Sequence, residues 1–276
     1  MQIKLVTIAA VLLGALLMNR SHAADDLPVE TIQPIAHRGL LLHAPENTLA
    51  NFTACQQLRL GFEFDVRRSK DGQLICLHDD TVNRTTNGKG VAAELTLAEL
   101  QQLDAGGWFE AKFRGERIPT IDEVFCVIAA YPQPAICTAD LKGEDEKIEP
   151  DIVALAQQRK VLSRILFIGR AIDHPEVRAR LRQADPKCHV ACLAQTRADL
   201  ERSIADRNSD WVYLRFVPDR EAIKQILAAG KNSIIAGVKV SGLEQENWSL
   251  CAAAGVDLVL TDHPLEFRQL LRKRAP

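Results

Sequence analysis

Four short clusters carry side chains that could do chemistry together: His37-Arg38, Glu63-Phe64-Asp65, His78-Asp79 and Asp140-Leu141-Lys142. The alternate spacing of Glu63 and Asp65 puts both carboxylates on one face of a strand, and the strand count below puts Asp140 on its neighbour. Three inward carboxylates repel one another unless a cation lies between them, and an all-oxygen donor set suits Ca²⁺ or Mg²⁺ better than zinc. The competing reading pairs the same acids with Arg38 and Lys142. His37 and His78, arriving from different strands, suit acid–base catalysis in which one takes a proton and the other gives one. Arg38 and Lys142 would hold phosphate oxygens and offset developing charge. These residue types together point to metal-assisted phosphoryl transfer.

The elements that must position them form a regular series. Short apolar runs at 135–141, 164–169, 188–193, 211–215, 233–238 and 256–261 alternate with amphipathic stretches. Two earlier runs, 32–37 and 61–66, are separated by a helix beginning near Asn47 or Thr48. Eight strands with helical crossovers predict a (β/α)8 TIM barrel with its active site at the C-terminal ends of the strands; a doubly wound open sheet is the alternative. The run 73–78 follows Val66 too closely for a parallel crossover, so it predicts an antiparallel hairpin turning at Asp71-Gly72. A two-residue loop there sets His78 opposite Asp65, on the face of Glu63. Residues 80–118 are polar and turn-rich, yet hold Trp108, Phe109 and Phe113, and read as a small inserted cap between barrel strands two and three.

Of the 276 residues, 47% are apolar and 25% charged, which is globular composition. A formal net charge of -2 and 5% aromatic residues weigh against nucleic acid as a partner. Residues 1–23 read as a signal peptide: Lys4, an apolar run from Leu5 to Met18, then a Ser21-His22-Ala23 cleavage pattern. That run is shorter than the roughly 20 residues a bilayer crossing needs, so no stable membrane anchor is expected after cleavage. Export to the periplasm or medium follows, with 24–276 as the barrel domain. Seven cysteines leave an odd one; most read as small buried hydrophobes, and Cys188 with Cys192 is the pair to examine for a disulfide.

His37-Arg38-Gly39, Pro45-Glu46-Asn47-Thr48, Glu63-Phe64-Asp65-Val66, His78-Asp79, the run from Arg84 through Leu103-Asp104-Ala105-Gly106 to Ile118-Pro119-Thr120, and Thr261-Asp262-His263-Pro264 resemble glycerophosphodiester phosphodiesterases. The resemblance implies a phospholipase-C-like barrel that uses a divalent cation to hydrolyse glycerophosphodiesters to sn-glycerol 3-phosphate and an alcohol. By position it implies Glu63, Asp65 and Asp140 as metal ligands, His37 and His78 as the acid–base pair, and Arg38 and Lys142 as phosphate contacts. It also implies attack by the neighbouring glycerol hydroxyl, followed by opening of a cyclic phosphate. Glu46 and Asn47 are expected to set the start of the following helix, with Asn47 or Thr48 as its cap.

Two positions depart from the family pattern. Asp140 stands where the family has glutamate, one methylene longer, and Val238-Lys239-Val240-Ser241 replaces a tryptophan-containing motif. Arg170, Arg215 and Lys239 follow strand-like runs and are expected at the mouth, where they would favour a substrate with a second acidic group. Pairing with Asp173, Asp219 or Asp262 is the alternative. Two other functions stay open: lysophospholipid or sphingolipid hydrolysis of the phospholipase-D type, which needs an exposed apolar rim, and non-catalytic binding of phosphodiesters.

Overall fold

The computed structural model describes residues 32–132, 135–142 and 148–274; the expected signal segment lies outside them. The chain forms β1 (Gln33–Ala36), α1 (Leu49–Gln57), β2 (Gly61–Arg68), β3 (Leu74–Cys76), α2 (Leu97–Leu100), α3 (Ile121–Ala130) and β4 (Cys137–Leu141). It continues through α4 (Ile148–Gln158), β5 (Ile165–Ile168), α5 (Pro175–Ala184), β6 (His189–Ala194), α6 (Leu200–Ala205), β7 (Trp211–Leu214) and α7 (Arg220–Ala228). It ends with β8 (Asn232–Ile235), α8 (Gln245–Ala254), β9 (Leu258–Thr261) and α9 (Pro264–Arg274). Parallel pairing runs from β1 through β9, β8, β7, β6, β5 and β4 to β2, and β2 pairs back onto β1. The eight parallel strands therefore close into the expected (β/α)8 barrel. No helix among the described residues is long and apolar enough to cross a membrane.

Alternation along β2 shows how the sequence aims the site. Phe62 and Phe64 pack outward in an aromatic cluster with Phe52 of α1 and Phe125 of α3, Phe52 and Phe62 stacking at 4.3 Å. Glu63 and Asp65 must then face the barrel interior. On β4, Asp140 is the register partner of Asp65. The outer helices start where their caps dictate: Thr48 accepts from Asn51 N at α1, and a reciprocal Thr120–Glu123 capping box opens α3.

The β2–β3 hairpin forms, but its register corrects the sequence expectation. Val66 pairs with Cys76 and Arg68 with Leu74, one residue out of step with a two-residue loop. Gly72 at φ +84° donates to Ser69 O, while Ser69 N donates to Gln73 O. This three-residue loop ends on a left-handed glycine. By register His78 would share the face of Phe64; it reaches the mouth because the chain leaves strand geometry after Cys76. The segment 80–118 buries Val82, Ala92, Leu100 and Ala105 against Ile75 and Leu77 of the hairpin. It thus packs beside β3, and Asp80 is the residue it contributes to the lining of the mouth.

All seven cysteines are free thiols. Cys188 and Cys192 sit four residues apart along the start of β6, a spacing of roughly 13 Å in extended chain, too far for a disulfide.

Candidate active site

A cavity of about 1140 Å³ opens at the C-terminal ends of the barrel strands. His37 and Arg38 enter it from β1, Glu63 from β2, His78 from the hairpin, and Asp140 and Lys142 from β4. Asp65 lies just beneath and is fully buried. Oxygen atoms from Glu63, Asp65 and Asp140 come within 4.8 Å of one another. Asp140 Oδ1 is buried with no hydrogen-bond partner, an expensive arrangement that a bound cation would relieve, and Asp65 Oδ1 is buried with only the Lys142 ammonium against it. The donor set fits an oxygen-preferring divalent cation.

The charges around this cluster are uneven. Burial, with Asp65 and Asp140 alongside, pushes the Glu63 carboxyl well above its ordinary range. At Asp65 burial acts the same way but is outweighed by Lys142, His78 and the Asn47 hydrogen bond, so its carboxyl sits below the ordinary value. Burial also raises Asp140, although Lys142 opposes it. Lys142 Nζ lies 2.5 Å from Asp140 Oδ2 and 3.1 Å from Asp65 Oδ1. The pairing of acids with Lys142 is therefore real, yet it leaves Asp140 Oδ1 buried without a partner.

The backbone at the end of β1 is unusual for side-chain-bearing residues. Arg38 has φ +53°, and its N–H donates to Glu63 Oε2 at 2.8 Å. Its guanidinium donates to Glu46 Oε1 at 3.0 Å, and Glu46 also receives Arg84 Nη1 at 2.7 Å. Arg84 in turn donates to Asp79, whose carboxylate meets His78 Nδ1 at 2.8 Å. Hydrogen bonds from Arg84 hold the Asp79 carboxyl far below the usual range, burial notwithstanding. On the opposite side His37 Nδ1 meets Asp262 Oδ1 at 2.6 Å. Each histidine is thus oriented through Nδ1 by an aspartate, leaving Nε2 as the nitrogen a substrate could reach.

Asn47 and Thr48 divide the work expected of either. Thr48 caps α1, whereas Asn47, at φ +56°, donates from Nδ2 to Asp65 Oδ2 at 2.8 Å and accepts Asp65 N at 3.3 Å. Glu46 bridges Arg38 and Arg84 and does not cap the helix. Spacing gave no sign of the Asn47 contact with β2; the motif Pro45-Glu46-Asn47-Thr48 pointed to the segment, with a helix-start role expected in place of this one.

Arg170 and Arg215 line the cavity; Lys239 does not, correcting its expected position. It stands exposed on the loop after β8, because that loop turns at Gly237, φ +101°, and carries Val238 to the rim instead. Tyr213, two residues before Arg215 and therefore on the same strand face, also lines the mouth. Burial pushes its phenol up to about 12, so it stays neutral beside the acids.

Comparisons with known proteins find chains of similar sequence and fold. The model of the Glycerophosphoryl diester phosphodiesterase family matches residues 37–266. A glycerophosphodiester phosphodiesterase of Caldanaerobacter subterraneus subsp. tengcongensis is 31% identical over 255 residues, 87% of this chain and 97% of that protein. A crystal structure of a glycerophosphodiester phosphodiesterase from Agrobacterium tumefaciens superposes with TM-score 0.74 at 25% identity, covering 86% of this chain and 99% of that one. An Oleispira antarctica phosphodiesterase in complex with the product sn-glycerol-3-phosphate superposes with TM-score 0.70 at 28% identity, covering 88% and 98%.

Proposed function

Because the chain belongs to the glycerophosphoryl diester phosphodiesterase family of phosphoric diester hydrolases, we propose that it hydrolyses glycerophosphodiesters to sn-glycerol 3-phosphate and an alcohol. The observation that carries this reading is the convergence of the Glu63, Asp65 and Asp140 oxygens between two aspartate-oriented histidines. Glu63, Asp65 and Asp140 would hold one divalent cation, Ca²⁺ or Mg²⁺, which when bound neutralises phosphate oxygens and fixes the diester in place. Arg38 and Lys142 contact the remaining phosphate charge. One histidine accepts through Nε2 the proton of the neighbouring glycerol hydroxyl as its oxygen bonds to phosphorus, and the other donates its proton to the alcohol oxygen as the phosphorus–oxygen bond to it breaks, leaving a cyclic phosphate. Water then opens the ring with the roles reversed: the second histidine takes the water's proton and the first returns its proton to the glycerol oxygen as that bond to phosphorus breaks, giving sn-glycerol 3-phosphate. Asp262 and Asp79 stabilise each imidazolium as it forms.

The test is release of sn-glycerol 3-phosphate from choline, ethanolamine, serine, glycerol and inositol diesters, with chelator or with added Ca²⁺ or Mg²⁺. Metal-dependent release, lost by at least a hundredfold in His37→Ala, is expected. Release that persists undiminished in chelator would remove the cation from the reading.

One observation favours a second substrate class. Val238 is 82% exposed at the edge of the cavity, with Leu243 at 58% on the same loop and Leu42 at 47% after β1. Val238 at the cavity edge, with these exposed leucines on the segments that follow β8 and β1, is apolar surface of the kind lysophospholipid or sphingolipid substrates would need, so detergent-dispersed lysophospholipid belongs in the same assay. The reading also takes residues 1–23 as a signal removed on export to the periplasm. N-terminal sequencing of the exported protein should begin at Ala24.

A further inference from the structure

Besides His37 and His78, which face Asp262 and Asp79, five basic side chains that line the cavity have a carboxylate against them or close by. Arg38 meets Glu46, Arg67 meets Asp80, Lys142 meets Asp140, Arg180 meets Glu149, and His174 lies 3.5 Å from Glu176. Among the described residues Arg170 and Arg215 have none. The acids that could have neutralised them are engaged elsewhere: Asp173 with Arg202, Asp262 with His37, and Asp219 as the cap of α7. Both arginines stand at strand ends on the half of the mouth formed by β5 to β8, across the barrel from His37 and Glu63.

Arg215 is also held in place. Its Nη1 donates to Tyr213 Oη at 3.0 Å, and its guanidinium lies so close over Gly237 that a Cβ there would come within 2.8 Å of Cζ. A guanidinium fixed by a neutral phenol and a bare backbone keeps its full charge and its fork of donors facing the cavity. Two guanidiniums with no carboxylate paired to them offer charge and hydrogen-bond donors to an anion entering this half of the recess.

We infer that this half of the mouth is a second anion site, which binds a carboxylate carried by the alcohol portion of the diester. The inference rests on the hydrolase reading above. With the scissile phosphate at the carboxylate cluster and its two histidines, the second site would draw the alcohol toward β5 to β8, where Arg170 and Arg215 would meet its acidic group.

Glycerophosphoserine and glycerophosphoethanolamine differ by one carboxylate and test this directly. With the full chain and saturating divalent cation, kcat/KM should favour the serine diester. Arg215→Ala and Arg170→Ala should each lower the serine-to-ethanolamine ratio by about tenfold, the value of one charge-assisted hydrogen bond. Arg170 is exposed at a turn, so Arg170→Glu can be made without disturbing the core, and it should invert the preference. An unchanged ratio, or an equal loss on both diesters, overturns the second site while leaving the hydrolase reading intact. If the unsubstituted chain hydrolyses neither diester, the hydrolase reading falls and this inference with it.

Discussion

Asp65 receives Asn47 Nδ2 at 2.8 Å and lies 3.1 Å from Lys142 Nζ, so its position depends on two neighbours that are not themselves in the carboxylate cluster. Asn47→Ala would remove a hydrogen bond to a buried carboxylate and leave alanine at φ +56°. A loss of about 3 kcal/mol in stability is expected from the two effects together. Divalent-cation affinity measured by calorimetry should fall about tenfold or more, as for other groups that orient a ligand. Gly169 exerts a similar constraint through space. Its φ is +108°, and a Cβ would fall 2.0 Å from Asp140 Oδ1. Gly169→Ala should therefore weaken cation binding by at least tenfold. Gly72, at φ +84° with nothing within 4 Å of a Cβ, is the contrasting case: alanine there should cost about 1 kcal/mol in a denaturant titration and leave turnover as it was.

At the scale of elements, α5 is tied to the segment after α6 by Arg178, which donates from Nε at 3.1 Å and Nη2 at 2.7 Å to Asp206. Burial would raise the Asp206 carboxyl, but Arg178 outweighs it and holds the group below its ordinary value. A depressed carboxyl contributes stability that is present above the unfolded value, near pH 4, and is lost as pH falls through the folded one. Asp206→Asn should thus cost about 3 kcal/mol at neutral pH, and the gap in melting temperature should close below about pH 4. Strands were legible in the sequence because each is a short, nearly uniform apolar run: Ile165-Leu166-Phe167-Ile168 is buried throughout, as in β5 it must be on both faces. The hairpin's existence was legible from Asp71-Gly72, but its register was not. A one-residue difference in loop length reverses every face, and the bond from Ser69 to Gln73 that sets it has no composition signal. Glu63, Asp65 and Asp140 could be placed from strand alternation. Asn47 and the Glu46–Arg84–Asp79 chain could not, since they meet across loops whose path no periodicity describes.

For the whole molecule, the barrel closes where β1 lies between β9 and β2. Gln33 through Ala36 pair with Leu258 through Thr261, and the His37–Asp262 contact spans 225 positions of sequence. Bringing such distant segments together carries the loop-closure cost last and slowly. A chain truncated before β9 should lack cooperative thermal unfolding and release no sn-glycerol 3-phosphate, even though it retains Glu63, Asp65, His78 and Asp140. The seam between the first and last strands thus makes assembly its own activation step. The stretch through Asp262 must be made and folded before one imidazole finds the aspartate that orients it, so a chain ending before β9 is expected to stay silent toward phosphodiesters.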